Sequence, residues 1–576
     1  MTDKLFILGD TSFERMRTRG AYFVDKTAYI RQIYEDGNYV TLITRPRRFG
    51  KTLTQSMLKS FFELNYAAPD DRTQAQALFK GLAVEKDTAF CEANLGRWPV
   101  LSLSFKDVGG NTFEDALTSL ATTLSACVQK YAFLTTSEKL TEFQRSEMTT
   151  LRNLPNLPFA LQKEKSKAGL AAIIFAFYTV FNRSVIVLLD EYDVPLNKAR
   201  TGGYYNDMID VIREMLSRGL KDSDYLEKAV VTGCLRIAKE SVFTGLNHFG
   251  CHTVSDDSLS DALGITTDEA QKVLADFGLT PYADAVRRHY DGYRFGNREM
   301  YCPWDLLCFC RDNAGKTVGE YTNYWTNTSG NDLIKEFVHY ADESHLLLLR
   351  DLLAGKNVTG RITEDLSFAE LNAAHSPENL LSLLYASGYL TSVGKNADGT
   401  RELTIPNEEV LSCFKREVAN YFSPTDHYYQ AIGRDLLAAL SAGNGANANR
   451  ILQRFLLRYV SVRDTGSESF YHGMVLGLLG SALKDDLASN RESGDGYPDV
   501  SFLNPSDNTA VILEFKKAAS SDPAALRASA QDALTQIHER RYALPFTDAG
   551  CQTIRLYGIA FSGKTCYTVL ETQKPA

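Results

Sequence analysis

The stretch that most constrains this chain runs from Thr44 to Thr52 and reads Thr-Arg-Pro-Arg-Arg-Phe-Gly-Lys-Thr. It follows a short apolar run at 39–43 and precedes a segment, 53–62, that has the composition of a helix. A strand, a tight turn ending in Gly-Lys-Thr and a helix form a phosphate-binding loop, because successive backbone N–H groups and the helix N-terminus make a cradle for anions. The stretch therefore predicts an α/β fold with the parallel sheet of a P-loop NTPase.

The loop also predicts which residues contact a nucleotide such as ATP. Lys51 is expected to reach the outer phosphates, and the hydroxyl of Thr52 to bind Mg²⁺. Arg45 departs from the usual pattern, which has a glycine five residues before Gly50. A basic turn between a strand and a helix, without a nucleotide, is the alternative. The predicted nucleotide-binding residues of the turn are Arg47, Arg48, Phe49, Gly50, Lys51, Thr52 and Leu53.

Residues 184–193 form a second informative stretch, Ser-Val-Ile-Val-Leu-Leu-Asp-Glu-Tyr-Asp. A continuous run of β-branched residues and leucine, bounded by charge, is typical of a central parallel strand buried on both faces. At its end, Asp190 is expected to hold Mg²⁺ through water, and Glu191 to orient or deprotonate the attacking water. A solvated acidic strand end is the alternative, and the phosphate-binding loop upstream makes it the weaker one.

A third strand is predicted at 228–232 and is followed by Gly-Cys-Leu-Arg. Thr232 lies where a polar side chain senses the γ-phosphate between the two earlier strands. Arg236 is predicted to stabilise phosphate charge, although a surface or salt-bridged arginine explains the same residue.

With these motifs, residues 4–330 resemble the AAA-ATPase-like family of bacterial and archaeal proteins. The resemblance implies that loss of the first loop glycine is tolerated, so Arg45 is compatible with nucleotide binding. It also implies a small helical lid that contains 291–295, with Arg294 near a phosphate, and a homo-oligomer in which one subunit completes its neighbour's site. From the residues alone, 291–295 is predicted to be a tight turn beside a helix. The segments that carry the resemblance are 22–27, 45–52, 189–193, 232–236, 289–295, 301–304 and 324–328.

The remainder of the chain changes from a helical to a mixed pattern. Residues 336–455 have helical spacing of Leu, Ala and Glu, which predicts a helical connector with a hairpin at 389–405. Two strands joined by the turn at 504–508 are then expected to run antiparallel. The predicted elements of the last part are a helix at 468–483, strands at 497–503 and 510–516, a helix at 522–542 and a strand at 553–561.

The two antiparallel strands bring acidic residues together. Asp499 and Glu514 are expected to approach each other across the pair, and Lys516 shares a face with Glu514 because side chains alternate with a period of two. Two carboxylates and a lysine at one strand end suit metal-assisted phosphodiester cleavage. The carboxylates hold Mg²⁺ or Mn²⁺, and the lysine positions water or the phosphate. An exposed strand that carries these residues by chance is the alternative.

Residues 460–576, with Gly-Tyr-Pro-Asp at 496–499 and Glu-Phe-Lys at 514–516, resemble the PD-(D/E)XK nuclease superfamily in the order of elements. The resemblance implies a supporting catalytic role for Gln536. It also implies that Glu468, which we favour over Glu492, is a further metal ligand.

Two other features of the last part are less specific. His472 stands beside aromatic residues at the start of a helix and is predicted to be structural rather than catalytic. Lys516, Lys517, Arg527 and residues 538–541 form either a basic patch for phosphate contacts or a solvated helix face.

Bulk properties limit the classes of protein. A chain of 576 residues is too long for one core and corresponds to about three to four domains. The longest apolar run has about eleven residues, too few to span a bilayer, and the first residues do not resemble a signal peptide. The short apolar runs predict no membrane partner, and ten scattered cysteines without a CxxC pair indicate reduced thiols in the cytoplasm. A net charge of −9 argues against a wholly basic nucleic-acid coat but allows a local basic groove.

The domain prediction is an AAA-like P-loop ATPase domain at 1–255, a small helical lid at 256–335, a helical connector at 336–455 and a PD-(D/E)XK nuclease-like domain at 456–576. The predicted function is an ATP-binding and ATP-hydrolysing protein that gates a Mg²⁺-dependent nuclease-like domain acting on DNA. The resemblance adds a setting in defence or mobile-element biology. The alternative is a nucleotide-driven switch or assembly protein whose last domain binds a partner or nucleic acid without cleaving it.

Overall fold

The computed structural model describes most of the chain. The described residues are 6–236, 249–318, 321–325, 348–349, 351–363, 377–422, 427–459, 468–483, 487–489, 493–504 and 508–574. The chain divides into two compact units, Met1–Thr328 with Gly360–Arg401, and Ser329–Thr359 with Glu402–Ala576. Each unit combines parts of more than one of the four predicted domains, whose boundaries remain a prediction.

The central sheet of the first unit is parallel and matches the predicted P-loop arrangement. Its strands are β1 (Val40–Thr44), β2 (Val100–Ser104), β3 (Val185–Asp190), β4 (Leu226–Gly233) and β5 (Phe249–His252). They lie in the order β2-β3-β4-β1-β5, and every adjacent pair is parallel. Strands β1 and β3 are buried along their whole length, as expected for central strands covered on both faces. The carboxyl ends of β1, β4 and β3 therefore meet at one edge of the sheet.

Helices cover this sheet, and their ends follow from local sequence. The longer helices pack an apolar face inward, so that Leu58 and Phe61 share a buried cluster with Ile186 of β3. A capping box at Thr112 and Asp115 starts the helix that follows β2, because each side chain satisfies a backbone N–H of the other residue. The helices of this part are α1 (Phe13–Thr18), α2 (Tyr29–Tyr34), α3 (Lys51–Phe62), α4 (Thr73–Phe79), α5 (Thr88–Asn94), α6 (Phe113–Lys130), α7 (Phe133–Thr136), α8 (Glu142–Arg152), α9 (Phe159–Phe181), α10 (Val194–Gly202) and α11 (Tyr205–Leu220), with 3₁₀ turns at Ala83–Lys86 and Leu154–Asn156.

The segment after β5 combines helices with a small sheet. Its helices are α12 (Thr267–Asp276), α13 (Ala283–Tyr290) and α14 (Pro303–Asn313), with a 3₁₀ turn at Thr280–Tyr282. Its strands are β6 (Ile265–Thr266), β7 (Tyr293–Phe295) and β8 (Arg298–Tyr301), in the antiparallel order β6-β8-β7. Residues 291–295 follow a helix, as predicted, but the predicted tight turn is wrong for 293–295. These residues form strand β7, in which buried Tyr293 and Phe295 alternate with exposed Arg294.

The middle of the chain contains short strands and a helix. Its elements are β9 (Val358–Gly360), α15 (Pro377–Ser387), β10 (Thr391–Lys395) and β11 (Arg401–Thr404). Strands β10 and β11 occupy the hairpin predicted at 389–405. In the part of the chain that the structure describes, no helix is long and apolar enough to cross a membrane.

A mixed sheet with helices forms the end of the second unit. The helices are α16 (Glu408–Phe422), α17 (His427–Ser441), α18 (Gly445–Tyr459), α19 (Glu468–Leu483), α20 (Pro523–Glu539) and α21 (Leu544–Asp548). The strands are β12 (Leu487–Ser489), β13 (Val500–Asn504), β14 (Thr509–Lys517), β15 (Thr553–Ser562) and β16 (Thr565–Gln573). The strand order is β12-β13-β14-β15-β16. Strands β13 and β14 are antiparallel, as predicted, whereas β14 and β15 are parallel. Asp522 caps α20 by accepting the backbone N–H groups of Ala524 and Ala525.

Candidate functional site

The phosphate-binding loop forms the predicted turn between β1 and α3. Gly50 has a φ of 86°, a left-handed conformation that glycine adopts without a steric penalty. Lys51 begins α3 and is buried. Its Nζ donates to the carbonyl oxygens of Arg45 and Pro46, each at 2.8 Å, and lies 3.4 Å from the Sγ of Cys234. The lysine cation is therefore held inside the turn by the oxygens of the turn itself.

Two hydroxyls meet the carboxylate at the end of β3. Thr52 donates to Oδ2 of Asp190 at 2.6 Å, and Thr232 donates to Oδ1 at 2.6 Å. These residues come from α3, β3 and β4, so the strand order brings the three predicted positions together. Gln55, for which we predicted no role, also donates to the Thr232 hydroxyl, at 3.1 Å. Gln55 could have been found from the sequence, because it is a polar residue on the apolar face of the predicted helix, one turn after Lys51.

Glu191 stands directly after Asp190 in an unusual backbone conformation. Its φ is 54°, a left-handed value that is uncommon for a residue with a side chain. Burial raises the pKa of its carboxyl, and the neighbouring charge of Asp190 adds to the effect. Such backbone conformations cost free energy and cluster at functional sites.

The loop after β4 is anchored by residues for which we predicted no role. Oδ2 of Asp193 accepts the N–H groups of Cys234 at 2.9 Å and Leu235 at 3.0 Å. The hydroxyl of Tyr192 donates to the carbonyl of Leu235 at 2.7 Å. Arg236, three residues after β4, lines a cavity of about 30 Å³. The start of the loop after β4, which follows Thr232 and includes Arg236, is thus fixed to the residues after β3.

Arg45, at the glycine position of the loop, is fully buried. Its guanidinium donates to the carbonyl oxygens of Thr44 at 2.8 Å, His252 at 3.0 Å and Leu259 at 2.7 Å, and lies 5.0 Å from the ring centre of Phe295. Burial lowers its pKa to about 10. The arginine therefore ties the loop to the segment after β5.

The other loop residues contact the small α/β segment that follows β5. The guanidinium of Arg48 lies 4.3 Å from the ring centre of Trp304, and Nε1 of Trp325 donates to the carbonyl of Arg47 at 3.1 Å. Phe49 is fully buried, which leaves no part of its side chain accessible to a ligand. Leu53 likewise packs against the core.

Arg294, which the resemblance placed near a phosphate, lies 3.5 Å from a carboxylate oxygen of Glu299. It also donates to the carbonyl of Val393 at 3.4 Å. These contacts hold the guanidinium along the hairpin formed by β7 and β8.

In the second unit, the structure brings the predicted acidic residues together. The N–H of Phe515 donates to Oδ2 of Asp499 at 2.7 Å, and the N–H of Asp499 donates to Oε2 of Glu514 at 3.3 Å. Nζ of Lys516 is 4.0 Å from Oε1 of Glu514. The antiparallel pairing of β13 and β14 produces this arrangement.

Two helices complete this cluster. The side-chain amide of Gln536, from α20, donates to Oε1 of Glu514. Oε2 of Glu468, from α19, accepts the N–H of Lys517 at 3.1 Å. His472, predicted to be structural, lies with Nδ1 3.6 Å from Oδ1 of Asp499. Its position four residues after Glu468 on one helix face was the signal that the sequence offered.

The predicted basic patch is partly neutralised. Arg541 forms a two-point ion pair with Asp495, at 2.6 and 2.8 Å. Nε2 of His538 lies 3.0 Å from a carboxylate oxygen of Glu571. These two members of the patch are thus paired with carboxylates.

Sequence models of two known protein families match the two parts of the chain that contain these sites. Residues 8–243 match the family described as predicted AAA-ATPase, and residues 466–571 match the PD-(D/E)XK nuclease superfamily. We refer to residues 8–243 as the AAA-ATPase-like domain and to residues 466–571 as the PD-(D/E)XK domain, after the families that they match.

Two known proteins align with most of this chain. An uncharacterized protein in the vnfD 5′ region of Azotobacter chroococcum mcd 1 is 25% identical over 579 residues, covering 98% of this chain and 97% of that protein. The Walker-type ATPase paby2304 of Pyrococcus abyssi is 14% identical and aligns with 69% of this chain and 97% of its own, at a TM-score of 0.33. That score is too low to establish a shared fold.

The acidic cluster of the PD-(D/E)XK domain fits a divalent cation. Burial, and then the charge of Asp499, raise the pKa of the Glu514 carboxyl well above its usual value. A cation beside both carboxylates would relieve this repulsion. No group of three or more His, Cys, Asp or Glu side chains among the described residues is arranged to hold a metal. Two carboxylates with water and substrate oxygens are, however, a common way of binding Mg²⁺.

Proposed function

We propose that the AAA-ATPase-like domain binds ATP with Mg²⁺ and hydrolyses it. The observation that supports this most strongly is the contact of both Thr52 and Thr232 with the carboxylate of Asp190, next to Lys51 in the loop. A hydroxyl and a carboxylate at this place are the protein groups that hold Mg²⁺ in P-loop enzymes.

Each residue then has a role in hydrolysis. Lys51 leaves the carbonyl oxygens of the turn and pairs with the β- and γ-phosphates, while the loop N–H groups bind the phosphate oxygens. Thr232 contacts the γ-phosphate, Arg236 stabilises its charge, and Glu191 orients or deprotonates the attacking water. Thr52 and Asp190 would hold Mg²⁺, which would neutralise charge that develops on the phosphates.

We further propose that the PD-(D/E)XK domain cleaves DNA and that ATP turnover gates this cleavage. Asp499 and Glu514 would hold Mg²⁺ or Mn²⁺, with Gln536 fixing the Glu514 carboxylate and Glu468 lying close by. A divalent cation at this place activates water and neutralises phosphate charge. Lys516 positions that water or the phosphate.

The cellular setting belongs to the same proposal. All ten cysteines lie in the described residues and are free thiols, which supports a reducing compartment such as the cytoplasm. A homo-oligomer, and a part in defence against foreign nucleic acid or in mobile-element biology, are proposed from the family resemblance.

The test is a cleavage assay on plasmid and single-stranded DNA with Mg²⁺ or Mn²⁺, with and without ATP. The wild type is compared with Lys516→Ala and Lys51→Ala. The proposal expects cleavage that is lost in Lys516→Ala and altered in Lys51→Ala. If the wild type does not cleave, but its ATP turnover is lost in Lys51→Ala, the protein is a nucleotide-driven switch instead.

A further inference from the structure

His472 belongs to the same face of α19 as Glu468. The two residues are four positions apart, and residues at this spacing lie one above the other on a helix. The Glu468 carboxylate accepts the N–H of Lys517 at 3.1 Å, so this face of the helix lies against the end of β14. His472 is thereby placed beside the acidic cluster.

The imidazole is close to one oxygen of Asp499 while the backbone holds the other. Nδ1 of His472 lies 3.6 Å from Oδ1, and the histidine is only 4% exposed. Oδ2 accepts the N–H of Phe515 at 2.7 Å. A buried nitrogen that faces a carboxylate is stabilised when it carries a proton, whereas two facing lone pairs would repel each other.

We propose that His472, with its proton on Nδ1, is a positioning residue that orients the Asp499 carboxylate for a divalent cation. This role rests on the function proposed for Asp499 and Glu514. With one oxygen held by the backbone and the other facing the imidazole, the carboxylate has little freedom to rotate. The cation then meets ligands that are already oriented, and removing such a supporting partner typically weakens metal affinity by about 10- to 100-fold.

The neighbouring Tyr471 supplies a matched control. Its ring stacks on Phe561 at a centroid distance of 4.5 Å, and its hydroxyl donates to the carbonyl of Gly563 at 2.8 Å. Tyr471→Phe therefore removes a hydrogen bond that anchors the same helix, without altering a group beside Asp499. A general loosening of α19 would affect both variants, whereas loss of positioning affects only the histidine variants.

The experiment is a Mn²⁺ titration of the full-length, nucleotide-free protein, followed by electron paramagnetic resonance. The binding that is lost in Glu514→Ala defines the cation site of the PD-(D/E)XK domain. For that site, His472→Phe is expected to weaken Mn²⁺ binding about 10-fold or more. His472→Asn, which keeps an N–H near the place of Nδ1, should recover most of the affinity, and Tyr471→Phe should leave it unchanged.

Each of the other outcomes contradicts either the role of His472 or the metal site itself. Wild-type Mn²⁺ affinity in His472→Phe, with loss in Glu514→Ala, removes the role of His472 and leaves the metal site. Wild-type binding in Glu514→Ala removes the proposed metal site, and the role of His472 with it. A nitrogen coupling to bound Mn²⁺ that disappears in His472→Asn would make His472 a direct ligand. Should His472→Phe not fold, His472→Gln replaces it, and equal affinity of the Gln and Asn variants contradicts the proposal.

Discussion

The hydroxyl of Thr52 donates a 2.6 Å hydrogen bond to the carboxylate of Asp190, across 138 positions of sequence. The parallel sheet makes this contact possible. Only β4 lies between β1, which precedes the loop and Thr52, and β3, which ends at Asp190. Thr232, at the end of that intervening strand, binds the other oxygen of the same carboxylate. The three side chains therefore meet at the carboxyl edge of the sheet, where we propose that a nucleotide-bound cation lies.

Lys51→Ala should abolish ATP binding, since Lys51 is the cation inside the phosphate-binding loop. We expect affinity for a fluorescent ATP analogue to fall by about 100-fold or more, corresponding to about 3 kcal/mol. Lys59→Ala is the control, because Lys59 lies on the same helix but forms a 3.0 Å ion pair with Glu63. Equal loss in both variants would point to damage to α3 rather than to loss of a phosphate contact.

Glu191→Gln should keep ATP binding and block turnover. The amide has nearly the same shape as the carboxylate but cannot accept a proton, and such groups contribute about 10²- to 10⁴-fold to rate. Steady-state phosphate release measures the change, with the exposed Glu164→Gln as control. Normal hydrolysis by Glu191→Gln would show that Glu191 is not the general base.

Nucleotide binding should change the tryptophan fluorescence of the protein. Of the three tryptophans, Trp304 stacks on Arg48 and Trp325 donates to the carbonyl of Arg47. Phosphate contacts in the loop would alter the surroundings of both indoles. We expect the emission change on adding ATP to be reduced in Trp304→Phe and retained in Trp98→Phe. An unchanged response in Trp304→Phe would mean that the Arg48 stack does not respond to nucleotide.

Asp193→Ala should lower stability and weaken ATP binding together. The substitution removes the acceptor of two N–H groups, that of half-buried Cys234 and that of buried Leu235, and an unpaired buried N–H group costs about 1–3 kcal/mol. We expect Tm to fall by several degrees in thermal unfolding. The exposed Asp207→Ala, on α11, should change Tm little. A Tm equal to that of the wild type would show that the loop finds other acceptors.

Asp291 should make stability depend on pH. Burial raises the pKa of its carboxyl from 3.8 to about 6, so the folded chain binds a proton more tightly than the unfolded chain. This contribution is full below about pH 4 and is lost as the pH rises through about 6, by up to about 3 kcal/mol.

The asparagine side chain of Asp291→Asn does not titrate, so this variant loses the pH-dependent contribution of the Asp291 carboxyl to stability. The Tm of this variant relative to wild type should therefore increase between pH 4.5 and pH 7.5. Asp284→Asn, an exposed change on α13, should show a constant difference. A constant difference for Asp291→Asn as well would contradict the raised pKa.

Much of the fold followed from local patterns. The apolar run of β3 and the Gly-Lys-Thr turn predicted a parallel sheet with a phosphate-binding loop, and the helix predicted at 468–483 is α19. The alternation of side chains along a strand was enough to place Asp499, Glu514 and Lys516 in one cluster. These features depend on periods of two and 3.6 residues, which a short stretch of sequence already contains.

Other features depended on contacts between distant parts of the chain. The buried Arg45 donates to carbonyl oxygens of His252 and Leu259, which are more than 200 positions away in the sequence. From the loop sequence alone, Arg45 was recognisable only as a replacement of the usual glycine. His472 looked like a packing residue until β13 brought Asp499 beside it. Local sequence specifies which face of an element is apolar, but not which distant group meets a given polar side chain. That choice is made when the strands and helices pack together, because burial then requires a specific partner for each polar atom.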